Sequence, residues 1–332
     1  MNDAFESETR RRLTDLLDEF QQSASPGPFN YGWVHQHDGK HHGLHVAFGC
    51  MVHGNEFGSL PAALRLIAAL RSGAVTFGGK VTVFIGNPEA ALENRRYLEA
   101  DLNRAFLPSS GDTHEARRAQ ELMPILDAAD VLIDFHQTIL DTAYPFYISA
   151  WNPQAWHWAR ATQATPLWVT RNPTTQFSSG TKCTDEYVCD RGRPGMTLEL
   201  SEKGFSADAE DLCWTAMCNA LRVADAVSAG APIETLASSQ PDFQFMTTVY
   251  AEPFDTPAKM LRSGLVNFQK VEAGEPLHAE GTPPMIAPRD GALLFPKYPT
   301  RESDLAVAPW PNEVYRLIVP MGVHPTQRWP AP

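Results

Sequence analysis

The 332-residue sequence has little that would tie it together covalently or hold it to a polyanion or a bilayer. Its five cysteines, Cys50, Cys183, Cys189, Cys213 and Cys218, form no C-x-x-C pair and no even-numbered framework. That argues against a disulfide scaffold and fits a reducing compartment. Lys and Arg number 27 against 39 Asp and Glu, a net charge of −12. With no basic surplus to neutralise phosphates, nucleic acid is not an expected partner. An acidic small molecule stays open, but only against a local cluster of arginines. No apolar run is long enough to cross a bilayer, and residues 1–22 are charged and lack the apolar stretch of a secretory signal. The expectation is a soluble, cytoplasmic protein with no membrane partner. Internal repeats and low-complexity tracts are also missing.

What is present is ordinary globular composition, 43% hydrophobic and 20% charged, enough for one large core or two domains. Leu13, Leu16, Leu17 and Phe20 mark a helix over 6–22. His35, His37, His41 and His42 follow, and read as a solvated hairpin tip rather than a second metal site. Then apolar strands alternate with amphipathic helices: strands at 44–50, 80–85, 130–135, 144–149, 166–170 and 196–200, helices at 57–72, 113–128, 153–163 and 206–228. Residues 171–195 read as a polar loop. This predicts an α/β fold with a mixed, largely parallel sheet and helices on both faces. Near residue 231 prolines interrupt the pattern, and short strands at 245–250, 264–271, 291–295 and 313–319 predict a small C-terminal all-β domain. The expected division is 1–240, a catalytic α/β domain, and 241–332, a β domain.

In a parallel α/β sheet the site lies beyond the strand C-termini. His53 and Glu56, three apart at a turn from strand to helix, can aim two ligands at one metal ion. H-x-x-E alone is common, and a hydrolytic zinc takes three protein ligands. His136, at the exit of the apolar strand 130–135, supplies the third. Asp101, Asn103 and Arg104 sit in an irregular stretch where an amide beside an arginine fork suits a carboxylate. A further arginine near the metal can stabilise an oxyanion. Glu199, in Thr197-Leu198-Glu199-Leu200, either faces solvent by alternation or serves as a general base beside a zinc-bound water. Trp151, Trp156, Trp158 and Trp168 read as core, with an aromatic pocket wall as the alternative.

The motifs His53-Gly54-Asn55-Glu56, Asn87-Pro88-Glu89-Ala90, Arg96-Tyr97 with Asp101-Leu102-Asn103-Arg104-Ala105-Phe106, Asp134-Phe135-His136-Gln137-Thr138 and Thr197-Leu198-Glu199-Leu200 together resemble the succinylglutamate desuccinylase/aspartoacylase family of the zinc carboxypeptidase-like group. The likeness runs from Leu44 to Phe205 and resumes at Asp290–Pro296. It implies one Zn²⁺ per chain on His53, Glu56 and His136, and Glu199 as general base. It further implies Arg96 polarising the scissile carbonyl, Asn103 and Arg104 on a substrate carboxylate, and Asp101 orienting His53. The implied partner is a small anionic N-acyl amino acid, of succinylglutamate or acyl-aspartate type, cleaved to an acid and a free amino acid. A peptide-cleaving metallocarboxypeptidase, an N-acetyl-diaminobutyrate-type deacetylase and a non-catalytic zinc protein are the alternatives. Ser201 stands where the family has glycine. Tyr187, Arg191 and Arg193 are candidates for the family's tyrosine and arginine that grip a further carboxylate. A homo-oligomer stays open.

Overall fold

The computed structural model describes residues 2–25, 27–29, 31–108, 110–298 and 312–330. In chain order its elements are α1 (Asn2–Ser23), β1 (Val34–Asp38), β2 (His45–Cys50), α2 (Leu60–Ser72), β3 (Lys80–Ile85), α3 (Pro88–Leu92), α4 (His114–Ala128), β4 (Val131–Thr138), β5 (Phe146–Ala150), α5 (Pro153–Thr162), β6 (Leu167–Arg171), α6 (Thr184–Cys189), β7 (Gly195–Glu202), α7 (Ala207–Ser228), α8 (Ile233–Ser238), β8 (Gln244–Pro253), β9 (Lys270–Val271), β10 (Gly291–Leu294) and β11 (Glu313–Pro320). A short helix, Pro325–Arg328, follows. The described strands form one sheet in the order β1-β3-β2-β4-β7-β5-β6-β8-β11-β10-β9. Strands β3, β2, β4 and β7 run parallel, β5 is antiparallel to β7, and β6 and β8 continue parallel to β5. This is the mixed, largely parallel α/β sheet that the alternation predicts.

Side chains of a strand alternate between faces, so neighbouring residues enter different cores. Val46, Phe48, Ile133, Phe135, Leu198 and Leu200 pack under α1, α2, α5 and α7 in the larger core. Ala47, Leu132 and Phe84 pack under α4 and α6 in a second one. Asp134, His136 and Glu199 have the parity of the second face, and the register sets His136 directly opposite Glu199. The helices obey local chemistry. Gly73, at φ 75, caps α2 in the left-handed region that glycine tolerates, and the Thr113 side chain accepts the Ala116 N–H at the start of α4.

Three expectations are corrected. His35 and His37 belong to β1, where His35 is buried, rather than to a solvated tip. Antiparallel pairing to β3 extends the sheet through them. The loop 171–195 contains α6, whose Tyr187 and Val188 cover the second face of the sheet, with Glu186 accepting the Cys183 N–H at its start. Of 264–271 only Lys270–Val271 is a strand, because Gly264 at φ 82 and Phe268 at φ 61 break the extension. The C-terminal β region is present, and β8 joins it to β6 without a break in the sheet.

One buried carboxylate shapes the connection that leads into the site. Glu115, in the first turn of α4, accepts the N–H groups of Leu98, Glu99 and Ala100 at 2.6, 3.1 and 2.9 Å, and Asn87 Nδ2 at 3.0 Å. Burial raises its pKa, but these donors outweigh burial and hold it below the ordinary 4.5. The stabilisation is therefore complete above about pH 4.5 and fades as pH falls through the folded value. Glu115→Gln should cost about 1–3 kcal/mol at pH 7 in denaturant unfolding. The gap to the unmodified protein should narrow in acid, and a gap that stays constant down to low pH would contradict this assignment.

Candidate metal centre and its cavity

The strand β2 ends at Cys50, and Met51, at φ 54, turns the chain sharply out of the sheet. His53 and Glu56 sit on this turn. Gly54 lets the turn approach α3: a Cβ there would come within 2.4 Å of the Ala91 amide. His136 lies on the neighbouring strand β4.

The three side chains converge. His53 Nδ1 is 2.8 Å from Glu56 Oε1, His136 Nδ1 is 2.9 Å from Glu56 Oε2, and the two Nδ1 atoms are 3.1 Å apart. All three residues are buried. The other ring nitrogen of each imidazole lies against a carboxylate: His53 Nε2 is 3.0 Å from Asp101 Oδ1, and His136 Nε2 is 3.0 Å from Asp134 Oδ2. That turns both Nδ1 atoms inward, where their lone pairs would serve a metal ion. Asp134 is itself held by the Thr184 hydroxyl. Two imidazole nitrogens and a carboxylate at these separations need a positive charge among them, a ring proton or a metal ion. Ligand atoms of a tetrahedral zinc stand roughly 3.3 Å apart, so the donor set and its spacing fit such an ion. Electrostatics point the same way. Burial raises the Glu56 pKa, yet His53 and His136 overcome it and hold the carboxyl low. Burial lowers that of His136, yet Asp134 and Glu56 lift it well above the ordinary value.

Glu199 faces this group from β7. It is buried, and its Oε2 has no hydrogen-bond partner among the described residues. Burial, and then the charge of Glu56, push its pKa up to about 8, against the pull of His136 and Arg96. An unpartnered buried oxygen beside a cation-seeking cluster leaves room for one polar group to bind between them.

Arg96 donates from Nη1 to Glu56 Oε1 at 3.1 Å and from Nε and Nη2 to Asp101 Oδ2 at 3.2 Å. Asn103 Oδ1 accepts the Thr184 N–H at 3.0 Å, and its Nδ2 lies 3.4 Å from His136 Nε2. Arg104 donates to the Asn103 carbonyl at 2.6 Å. His53, Glu56, Arg96, Asn103, Arg104, His136 and Glu199 all line one cavity of 680 Å³. The seven residues singled out in the sequence are thus brought together.

Other expectations do not reach it. Tyr187 and Arg191 both bond Asp127 at the end of α4, at 3.1 and 2.5 Å, and Arg193 donates to the carbonyls of Asp127 and Ala129. They brace the fold away from the cavity, and none of them lines it. Arg171, Lys297 and Arg316, which no motif marks, do line it. Arg171 ends β6, which runs opposite to β4 and β7, so the strand-exit rule gave no signal for it. Trp151, Trp158 and Trp168 are buried in the larger core, Trp156 packs against it, and none of these four lines the cavity.

The sequence profile of the family described as succinylglutamate desuccinylase/aspartoacylase catalytic domain matches residues 42–224. A succinylglutamate desuccinylase of Pseudomonas paraeruginosa is 35% identical over 82 residues, 24% of this chain and 25% of that protein. A probable aspartoacylase of Acaryochloris marina is 34% identical over 104 residues, 24% of this chain and 35% of that one. The chain thus spans about a quarter to a third of the length of these relatives. In fold it is similar to a succinylglutamate desuccinylase structure from Vibrio parahaemolyticus, with a TM-score of 0.66 at 18% identity over 88% of this chain and 87% of that chain. Among the described residues no helix is long and apolar enough to cross a membrane.

Metal-free protein should bind one Zn²⁺ per chain, measured by calorimetry with elemental analysis. Asp134→Asn should weaken that affinity about 10- to 100-fold, because it disturbs the His136 tautomer. Unchanged affinity would mean that the triad is not the ligand set.

Proposed function

The chain belongs to the succinylglutamate desuccinylase/aspartoacylase family, and on that premise we propose that it is a zinc-dependent deacylase of N-acyl amino acids. The substrate in this reading is a small anionic amide of succinylglutamate or acyl-aspartate type, cleaved to a carboxylic acid and a free amino acid. The observation that carries it is the unpartnered, buried Glu199 Oε2 facing the His53–Glu56–His136 group inside a cavity that also holds Arg96 and Arg104.

His53, Glu56 and His136 would hold the zinc, which supplies Lewis-acid polarisation and makes a water acidic enough to lose its proton near neutral pH. Glu199 receives the water's proton at Oε2 and returns it to the nitrogen of the leaving amine. Burial and the charge of Glu56 raise the Glu199 pKa, which makes its carboxylate a better proton acceptor than an ordinary one, and a cation held by the triad would lower that pKa again and ease the proton's return. Arg96 offers guanidinium donors to the carbonyl oxygen as negative charge develops on it. Asp101 keeps Arg96 and His53 oriented through its two oxygens. Asn103 and Arg104 bind the substrate carboxylate, which lets an anion enter a protein of net charge −12. Residues 241–332 would act as a C-terminal β unit that supplies Lys297 and Arg316 to the rim, and their own apolar cluster around Leu277, Leu293 and Leu317 supports that division.

The test is a panel containing N-succinyl-L-glutamate, N-acyl-L-aspartates, an N-acetyl-diaminobutyrate and a short peptide, scored for released amine with the zinc-loaded protein. Preferential turnover of the peptide would replace the reading by a carboxypeptidase one. Glu199→Gln should retain zinc and lose kcat by about 10²-fold or more; near-normal turnover would remove Glu199 from the proton transfer. Arg104→Ala should act mainly on KM, by about tenfold or more. A KM equal to that of the unmodified protein would dissociate Arg104 from the carboxylate.

A further inference from the structure

Among the described residues six Lys and Arg side chains line the cavity, and five of them have a carboxylate within 4.0 Å: Arg95 has Glu93, Arg96 has Glu56 and Asp101, Arg171 has Glu186, and Lys297 and Arg316 share Glu313. Arg104 has none among the described residues. Its Nη1 is used by the Asn103 carbonyl at 2.6 Å and Cys183 Sγ at 3.2 Å, which leaves Nε and Nη2 without a partner among them. What lies against the guanidinium is a ring. The Arg104 guanidinium carbon is 4.7 Å from the centroid of Phe177.

Phe177 stands out from its surroundings. Residues 172–176 are exposed, whereas Phe177 turns inward and is half-buried. Its N–H donates to Glu186 Oε1 at 2.6 Å, and its carbonyl accepts from Arg316 Nη2 at 3.3 Å. The same ring meets the guanidinium carbon of Arg316 at 4.2 Å and that of Arg171 at 5.4 Å. One ring therefore sits among three guanidinium groups, drawn from the segment after Asp101, from β6 and from β11.

We propose that Phe177 is a positioning residue for the substrate carboxylate: its ring steadies the Arg104 guanidinium so that the Nε–Nη2 edge stands open to the cavity, while Arg171 and Arg316 stay committed to their own glutamates. This rests on the deacylase reading for the identity of the carboxylate. A ring stacked on a guanidinium engages its face and leaves the in-plane N–H groups free. Those two parallel N–H groups are what a carboxylate accepts. A carboxylate in place of the ring would satisfy Arg104 and close the subsite, and an aliphatic side chain would leave the guanidinium free to swing toward Glu186. The order lost on binding is thus already absent from the free protein.

The experiment uses the zinc-loaded protein with the best substrate of the panel, and calorimetry with L-glutamate and L-aspartate as direct probes of the carboxylate subsite. Phe177→Leu should raise KM about tenfold, with kcat falling less than about threefold, and weaken amino-acid binding in proportion. Phe177→Tyr, which keeps the ring, should restore the KM. In the background of Arg104→Ala, Phe177→Leu should add nothing, because the ring acts through that guanidinium. If Phe177→Leu does not fold, Phe177→Met is the second ringless variant. KM and binding equal to the unmodified protein in a folded, zinc-replete ringless variant, or fully additive effects in the double variant, overturn the inference and leave the deacylase reading standing. An unmodified protein that turns over no member of the panel overturns that reading, and one that also binds neither amino acid overturns both.

Discussion

Two imidazole nitrogens and a carboxylate buried within 3.1 Å of one another need a positive charge, a proton or a metal ion, among them. The rest of the site is arranged around that constraint. Asp101 and Asp134 hold the outer nitrogens of His53 and His136, so the inner nitrogens both face the Glu56 carboxylate. Asp101 in turn binds Arg96, and Asp134 binds Thr184 at the start of α6, so each orienting acid is itself anchored to a different element. Burial makes the arrangement all or nothing: an uncompensated charge in such a place costs several kcal/mol, whereas a compensated one is rigid.

The fold meets this constraint with parity and register. Side chains of β4 and β7 at odd and even positions enter different cores, and the polar residues Asp134, His136 and Glu199 all fall on the face that α4 and α6 cover. Because β4 and β7 are parallel and adjacent, a ligand on one strand and an acid on the other meet side by side. A slip of one residue in either strand would send the pair into the apolar core on the opposite face. Glu115 does comparable work for the irregular stretch before Asp101, where three consecutive backbone N–H groups end on one carboxylate.

Much of this was legible beforehand, for physical reasons. The strands around Val46, Val83, Ile133 and Leu198 are buried on both faces, so they read as unbroken apolar runs. His53, Glu56, His136 and Glu199 lie on or just after such runs, where a polar residue is conspicuous. The missed features have no comparable local mark. Helix α6 has six residues and offers only Tyr187 and Val188 to the core, too few to show a period. β1 was obscured because His35 and His37 look like surface residues until the pairing with β3 is known. Arg171, Lys297 and Arg316 meet at the cavity from distant parts of the chain, and only the tertiary fold decides that they, rather than Arg191 and Arg193, face it.

The hydrogen-bond ladder between β6 and β8 carries the C-terminal strands directly on from the sheet that holds the site. Cutting the chain before Gln244 would strip one side of Leu167–Arg171 of its partner. The bare flank would present unpaired amides and carbonyls beside Leu167 and Val169, a template to which other chains can add. The last quarter of this molecule is thus also a guard against self-association, and shortening it is a solubility problem before it is a question of chemistry.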